Sequence, residues 1–278
     1  MNFIDKLKNA TQKNKSLLCV GLDPDPDLIP EKMGVFEFNK AIIDATSDLV
    51  CAYKPNLAFY EALGFDGLDA LNRTVEYIPD DIPVIGDAKR GDIGNTAKAY
   101  TKALFVNFNF DAATVNPYLG FDSIEPFIQY EDKGVFILCR TSNTGAVDFQ
   151  SLHCETGNDS LPLFELVALK AKAWNIHGNI GLVAGATYPE ELKSIRQNHP
   201  DMPLLIPGIG TQGGDLATIV RYGVDARGER TIINSSRQII YASRGKDFAR
   251  AARRVSSELR KQINYHLAML ASDNDASR

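Results

Sequence analysis

The chain has 278 residues, 44% of them hydrophobic and 23% charged, with a formal net charge of -5. That length suits one α/β barrel with a large core, and the acidic balance excludes the basic footprint of a nucleic-acid binder. No run is apolar for long enough to span a bilayer, and residues 1–16 lack the continuous apolar core of a signal peptide.

Residues 1–16 place Phe3, Ile4 and Leu7 among lysines and asparagines, the pattern of a short amphipathic helix. Eight short apolar runs follow, each closing in polar or glycine residues: 17–23, 50–56, 83–89, 112–118, 134–140, 180–186, 203–209 and 230–236. Most lack strict alternation, as strands buried on both faces do, so a parallel sheet covered by helices is expected. Helical patterns fill the gaps at 35–49, 67–78, 93–108, 123–130, 161–174, 189–196, 215–222 and 239–270, as parallel crossovers require. Residues 271–278 read as a disordered tail. The alternation predicts a single-domain (β/α)8 TIM barrel over residues 1–278. One connection, 141–160, is long and polar, and reads as a lid or substrate-contacting loop or as a tolerated insertion. Cys19, Cys51, Cys139 and Cys154 show no paired spacing and fit a reducing cytoplasm.

In such a barrel the strand C-termini converge on one mouth. That gathers Asp23, Lys54, Asn56, Asp87, Lys89, Asn116, Ser142, Asn143, Gln212 and Arg237. Asp87 and Lys89 are two apart, so on a strand they leave the same face, and Asp92 follows across Gly91. Flanking carboxylates favour the ammonium form of Lys89, which suits it to donate a proton rather than to attack a carbonyl. Bland readings stand beside these: Asp23, in Asp-Pro-Asp-Pro-Asp, also suits a turn, and Asp92 a helix cap. The segment 207–215 formally matches GxGxxG, yet it comes late in the chain and lacks the acidic residue a dinucleotide site needs. With Arg237 it reads better as a phosphate site. The four histidines have no metal-ligand spacing, and no metal or cofactor is expected.

The run Asp87-Ala-Lys89-Arg-Gly-Asp92, with Tyr53-Lys54-Pro55 before it and Pro207-Gly-Ile-Gly210 after it, resembles the orotidine 5'-phosphate decarboxylase family across essentially the whole chain. Lys54 to Glu61, Val115 to Gly120, Thr141 to Ala146 and Asn234 to Arg237 resemble its longer bacterial-type branch. The resemblance implies cofactor-free decarboxylation of orotidine 5'-monophosphate to uridine 5'-monophosphate. Lys89 would protonate C6, Asp87 would face the substrate carboxylate, and Lys54 and Asp92 would complete a Lys-Asp-Lys-Asp network. Asp92 and Thr96 would serve the site of the partner in a homodimer. Asp23 would hold the ribose, Ser142 and Gln212 the pyrimidine and its closing loop, and Arg237 the phosphate, with Pro207 and Asn116 as further substrate contacts. Ser236 and Gln238 depart from the glycines common beside that arginine, and Thr144 stands where proline is expected. A metal-assisted sugar-phosphate decarboxylase or aldolase of the same superfamily is the nearest rival, although Lys54 replaces the carboxylate that would hold magnesium. A non-catalytic barrel that binds a phosphorylated ligand is the other alternative.

Overall fold

The computed structural model describes residues 1–157, 159–208 and 215–276. Its centre is an eight-stranded parallel sheet. The strands are β1 (Leu18–Leu22), β2 (Ala52–Pro55), β3 (Ile85–Arg90), β4 (Ala112–Val115), β5 (Gly134–Arg140), β6 (Ile180–Ala184), β7 (Leu204–Pro207) and β8 (Thr231–Ser235). They lie in the order β2-β1-β8-β7-β6-β5-β4-β3, and bridges from Tyr53 to Val84 and from Asn56 to Asp87 close the ring. The expected (β/α)8 barrel is the observed architecture.

Side-chain alternation sorts the barrel into layers. Outward residues such as Leu18, Val20 and Leu22 of β1 pack with the surrounding helices in the larger core. Inward, each strand contributes one residue to a second cluster: Cys19, Ala52, Ile85, Ala112, Phe136, Val183, Leu205 and Ile232. Phe3 and Leu7 of the N-terminal helix Phe3–Asn14 join that cluster, and the Phe3 ring meets Phe136 edge-on at 5.6 Å. The amphipathic helix expected from the sequence therefore plugs the floor of the barrel, pinned by Lys6 Nζ at 2.8 Å from Asp111 Oδ2. Among the described residues the filled floor leaves the strand C-termini as the open end of the barrel.

Some elements differ from expectation in their bounds. The connection 141–160, read as a lid or an insertion, holds a 3-10 turn, Thr144–Asp148, and the hairpin strands His153–Thr156 and Asp159–Pro162. The predicted helix 239–270 is two helices, Arg237–Ile240 and Phe248–Ala276, with Ser243 and Gly245 in the break, where Gly245 N donates to Ser243 Oγ. Residues 271–276 continue the second helix, since extending a helix costs far less than nucleating one, and 277–278, the rest of the expected tail, lie outside the described residues. The fourth strand also ends early, at Val115, because the Asn116 side chain accepts from Tyr118 N and starts a turn with Pro117.

Candidate active site

One inward step above the floor the same alternation changes character. Two residues beyond Ala52, Ile85, Ala112, Phe136, Leu205 and Ile232 come Lys54, Asp87, Thr114, Leu138, Pro207 and Asn234, and all six line a cavity of about 530 Å³. Asp23, Asn56, Lys89, Ser142, Gly208, Ser236 and Arg237 complete much of its wall. Charge is concentrated on β2 and β3, whereas Leu138, Val183 and Leu205 supply apolar surface from β5 to β7.

The Asp87 carboxylate is the hub. Its Oδ2 accepts from Lys54 Nζ at 2.9 Å; its Oδ1 accepts from Lys89 Nζ at 2.6 Å and from Thr114 Oγ1 at 2.9 Å. Asp87 is 9% exposed and Lys54 4%, whereas the Lys89 side chain is 48% exposed, so Lys89 is the member that reaches open space. Burial by itself would raise the Asp87 pKa, but Lys54 and then Lys89 outweigh it and hold the carboxyl well below the usual carboxylate range. Burial would likewise neutralise Lys54, and Asp87 with Asp23 instead holds its ammonium above the ordinary lysine value. Below them, burial pushes the Cys19 thiol up to about 12, so the layer under the ion pair is neutral.

The backbone of β3 is irregular where this happens. Its register against β4 slips between Gly86 and Arg90, and Lys89 has φ of 47°, in the left-handed region that costs a non-glycine residue on the order of 1 kcal/mol or more. Lys89 N donates to Thr114 Oγ1 at 3.0 Å, so one hydroxyl ties the strained residue to the carboxylate it faces. Asp87 and Lys89 do meet, as the sequence suggested, but across a slip in register rather than through simple alternation.

The other expected residues divide. Asp23 lines the cavity and its Oδ1 is buried with no hydrogen-bond partner among the described residues, as is Asn234 Oδ1. Two unpaired acceptors in a polar cavity suit a ligand rich in hydroxyl or N–H donors. Ser142 lines the wall where Thr187 Oγ1 donates to its carbonyl at 3.1 Å, and a Cβ on Gly185 would lie 2.7 Å from its nitrogen. Pro207 and Gly208 line the cavity with Arg237, and Gly208 has φ of 105°, open to glycine alone in practice. Gln212 lies outside the described residues. Asn116, exposed and engaged in its own turn, does not line the cavity; Thr114, one inward position earlier, takes that place. Asp92 and Thr96 do not line it either. Asp92 Oδ1 accepts from Ile93 N at 2.8 Å, and the following helix, Gly94–Lys102, has Ile93 as its N-cap without a side-chain bond.

Sequence reasoning missed Thr114, Asn234 and Gln150. The first two were legible as inward positions two residues from Ala112 and Ile232. Gln150 was not: its Oε1 accepts from Thr141 N at 2.8 Å and its Nε2 donates to Thr141 Oγ1 at 2.8 Å, folding the long connection back over the mouth. The buried Arg140, stacked 3.6 Å from the centre of the Tyr188 ring, adds a contact to the same Gln150 oxygen.

Residues 16–254 match the family model described as Orotidine 5'-phosphate decarboxylase / HUMPS family. An orotidine 5'-phosphate decarboxylase of Dehalococcoides mccartyi (strain CBDB1) is 54% identical over 266 residues, 96% of this chain and 98% of that protein. One from Cellvibrio japonicus is 52% identical over 95% of this chain and 98% of its own. Among solved structures, Leishmania donovani OMP decarboxylase superposes with a TM-score of 0.82 at 40% identity, covering 96% of this chain and 99% of that one. A putative orotidine-monophosphate-decarboxylase from Toxoplasma gondii gives 0.84 at 38% identity, covering 94% and 97%. With the fold, the charged hub and these likenesses in agreement, the chain belongs to the orotidine 5'-phosphate decarboxylase / HUMPS family.

Proposed function

We propose that the chain decarboxylates orotidine 5'-monophosphate to uridine 5'-monophosphate, with Lys89 as the acid. The observation that carries this reading is Asp87 held between Lys54 and Lys89 at 2.9 and 2.6 Å at the mouth of the barrel. The C6–carboxylate bond breaks, carbon dioxide leaves with no charge, and the electron pair stays on C6. Lys89 Nζ gives C6 a proton and is reprotonated from solvent. Asp87 disfavours the bound substrate carboxylate, while the Lys89 ammonium stabilises the charge that develops on C6. A fixed ammonium needs no reorganisation at that moment, which is how preorganised charge contributes to accelerations on the order of 20 kcal/mol in the upper range for enzymes.

The remaining roles follow the cavity wall. Asp23 accepts a ribose hydroxyl, Ser142 and Gln212 meet the pyrimidine, and Arg237 with the Pro207–Gly208 turn holds the phosphate. Asp92 and Thr96 serve the site of a second copy in a homodimer. Their absence from their own chain's cavity supports this, as do the exposed apolar Ile93, Tyr118 and Leu119 on the loops after β3 and β4. No helix among the described residues is long and apolar enough to cross a membrane, and a cytoplasmic location suits the reading. The rival metal-assisted chemistry is disfavoured by the Lys54 ammonium, which sits 2.9 Å from the carboxylate a divalent ion would need.

An absorbance assay with orotidine 5'-monophosphate, run with and without a chelator, tests the proposal. Turnover that is indifferent to the chelator is expected. Absence of turnover defeats the assignment, and loss on chelation transfers it to the metal-assisted relatives.

A further inference from the structure

We propose that Tyr241 is a positioning residue for Asp23, the head of a clamp of three hydroxyls that sets the acceptor for a substrate sugar hydroxyl at the end of β1. The inference rests on the reading of the cavity as the orotidine 5'-monophosphate site and deepens it.

Three successive carbonyls at the end of β1 each accept a hydroxyl from a different part of the chain. Gly21 O accepts from Ser236 Oγ at 3.2 Å, Leu22 O from Tyr60 Oη at 2.9 Å, and Asp23 O from Tyr241 Oη at 2.9 Å. The turn that follows offers few other handles. Pro24 and Pro26 have no N–H, so Asp25 N is the one backbone donor between residues 24 and 26, and it donates to the same Tyr241 oxygen at 2.6 Å. Tyr241 thus holds the turn on both sides of Pro24, while Pro24 itself restricts Asp23 to extended conformations.

The clamp is rigid behind its hydroxyls. The Tyr241 ring stacks on Phe38 at 5.9 Å, and Phe38 stacks on Phe248 at 5.2 Å. The Tyr60 oxygen also accepts from Asn39 Nδ2 at 2.9 Å. What this scaffold holds is a carboxylate that lines the cavity and has one buried oxygen without a hydrogen-bond partner among the described residues. Such an oxygen is useful only if it is fixed within about 0.5 Å of the donor it awaits. A sugar hydroxyl is the donor that the proposed substrate brings.

Steady-state kinetics on Tyr241→Phe test the clamp, because this change keeps the stack on Phe38 and removes only the oxygen. Turnover of orotidine 5'-monophosphate by the unmodified chain is measured first; its absence overturns the functional reading and this inference with it. Given turnover, Tyr241→Phe should raise KM about 5–20-fold with kcat within about twofold, the signature of lost uniform binding. The loss should vanish with whichever of the 2'-deoxy and 3'-deoxy substrate analogues lacks the hydroxyl that Asp23 accepts. An unchanged KM, or an equal loss on the parent substrate and both analogues, overturns the clamp and leaves the decarboxylase reading standing. Should Tyr241→Phe fail to fold, Tyr60→Phe gives the same readout through the Leu22 carbonyl, with a smaller loss expected.

Discussion

The ammonium of Lys54 lies 2.9 Å from Asp87 Oδ2, and both groups are almost wholly withdrawn from solvent. Removing one partner of such a pair is worse than removing both, because an uncompensated charge stays behind. Asp87→Ala should therefore lower unfolding stability by about 3–5 kcal/mol. The double change Asp87→Ala with Lys54→Met should recover most of that loss. Urea unfolding of the three chains checks it, and a double variant no more stable than the single one would refute the account.

The same carboxylate makes stability depend on acid. Burial raises its pKa, but Lys54 and Lys89 together hold it below the unfolded value of about 3.9. A depressed folded pKa adds stability above the unfolded value and loses it as pH falls toward the folded one. Lys54 behaves oppositely: burial lowers its pKa, Asp87 and Asp23 outweigh that and hold it above the unfolded value, and its contribution is complete below about 10.4 and fades only at higher pH. The stability difference between the parent chain and Asp87→Asn should thus stay flat between about pH 5 and 9 and shrink as pH drops below about 4. A difference undiminished at about pH 2 would contradict the assignment.

Thr114 carries a prediction for chemistry rather than folding alone. Its hydroxyl donates to Asp87 and accepts from Lys89 N, where the backbone is in the left-handed region. Thr114→Val keeps the shape and removes both bonds, leaving a half-buried N–H unpaired at a cost of about 1–3 kcal/mol. Part of that should appear as a kcat loss of about tenfold, since a shift of Lys89 misplaces the proton donor. Lys89→Ala should lose about 10²–10⁴-fold or more in kcat by removing the donor itself. Single-turnover measurements separate the two, and near-normal chemistry in Lys89→Ala would end the mechanism.

These relationships show how far the residues alone could carry the reading. The barrel was legible because buried parallel strands and amphipathic helices have different periods, and because Asp87, Lys89 and Lys54 are charges on otherwise apolar strands. Thr114 and Asn234 were legible in principle, since each lies one inward step from a floor residue, but a lone polar residue at a strand end has no distinctive pattern. Asn116 drew attention instead, and its side chain turned out to cap a turn. The slipped register of β3 and the folding of Gln150 onto Thr141 depend on contacts between segments distant in sequence, which local periodicity does not encode.

A subunit-mixing experiment addresses Asp92. It does not line the cavity of its own chain, and the proposed homodimer lends it to the partner. Chains carrying Lys89→Ala and chains carrying Asp92→Ala should each be nearly inactive alone. Random reassociation of equal amounts makes about half the dimers mixed, and each mixed dimer has one site with both residues intact, so about a quarter of native activity should return. If Asp92 serves its own barrel, mixing restores nothing.

Gly21 and Ser236 supply the last test. A Cβ on Gly21 would lie 2.6 Å from the Ser236 Cβ, closer than real side chains approach, and Ser236 precedes Arg237, the residue proposed to hold the phosphate, in the cavity wall. Gly21→Ala must therefore push the end of β8 outward or strain β1, at about 1–3 kcal/mol. Displacing Arg237 should weaken phosphate binding and so raise KM for the nucleotide more than it lowers kcat. Ser236→Gly removes the obstructing atom, so the double change Gly21→Ala with Ser236→Gly should recover KM better than Gly21→Ala alone. It should not recover fully, because the Ser236 hydroxyl that binds the Gly21 carbonyl is also lost. Thermal melting and KM measured on the parent, the two single variants and the double variant check this, and a double variant worse than both singles would show that steric crowding at Gly21 is not what couples β1 to Arg237.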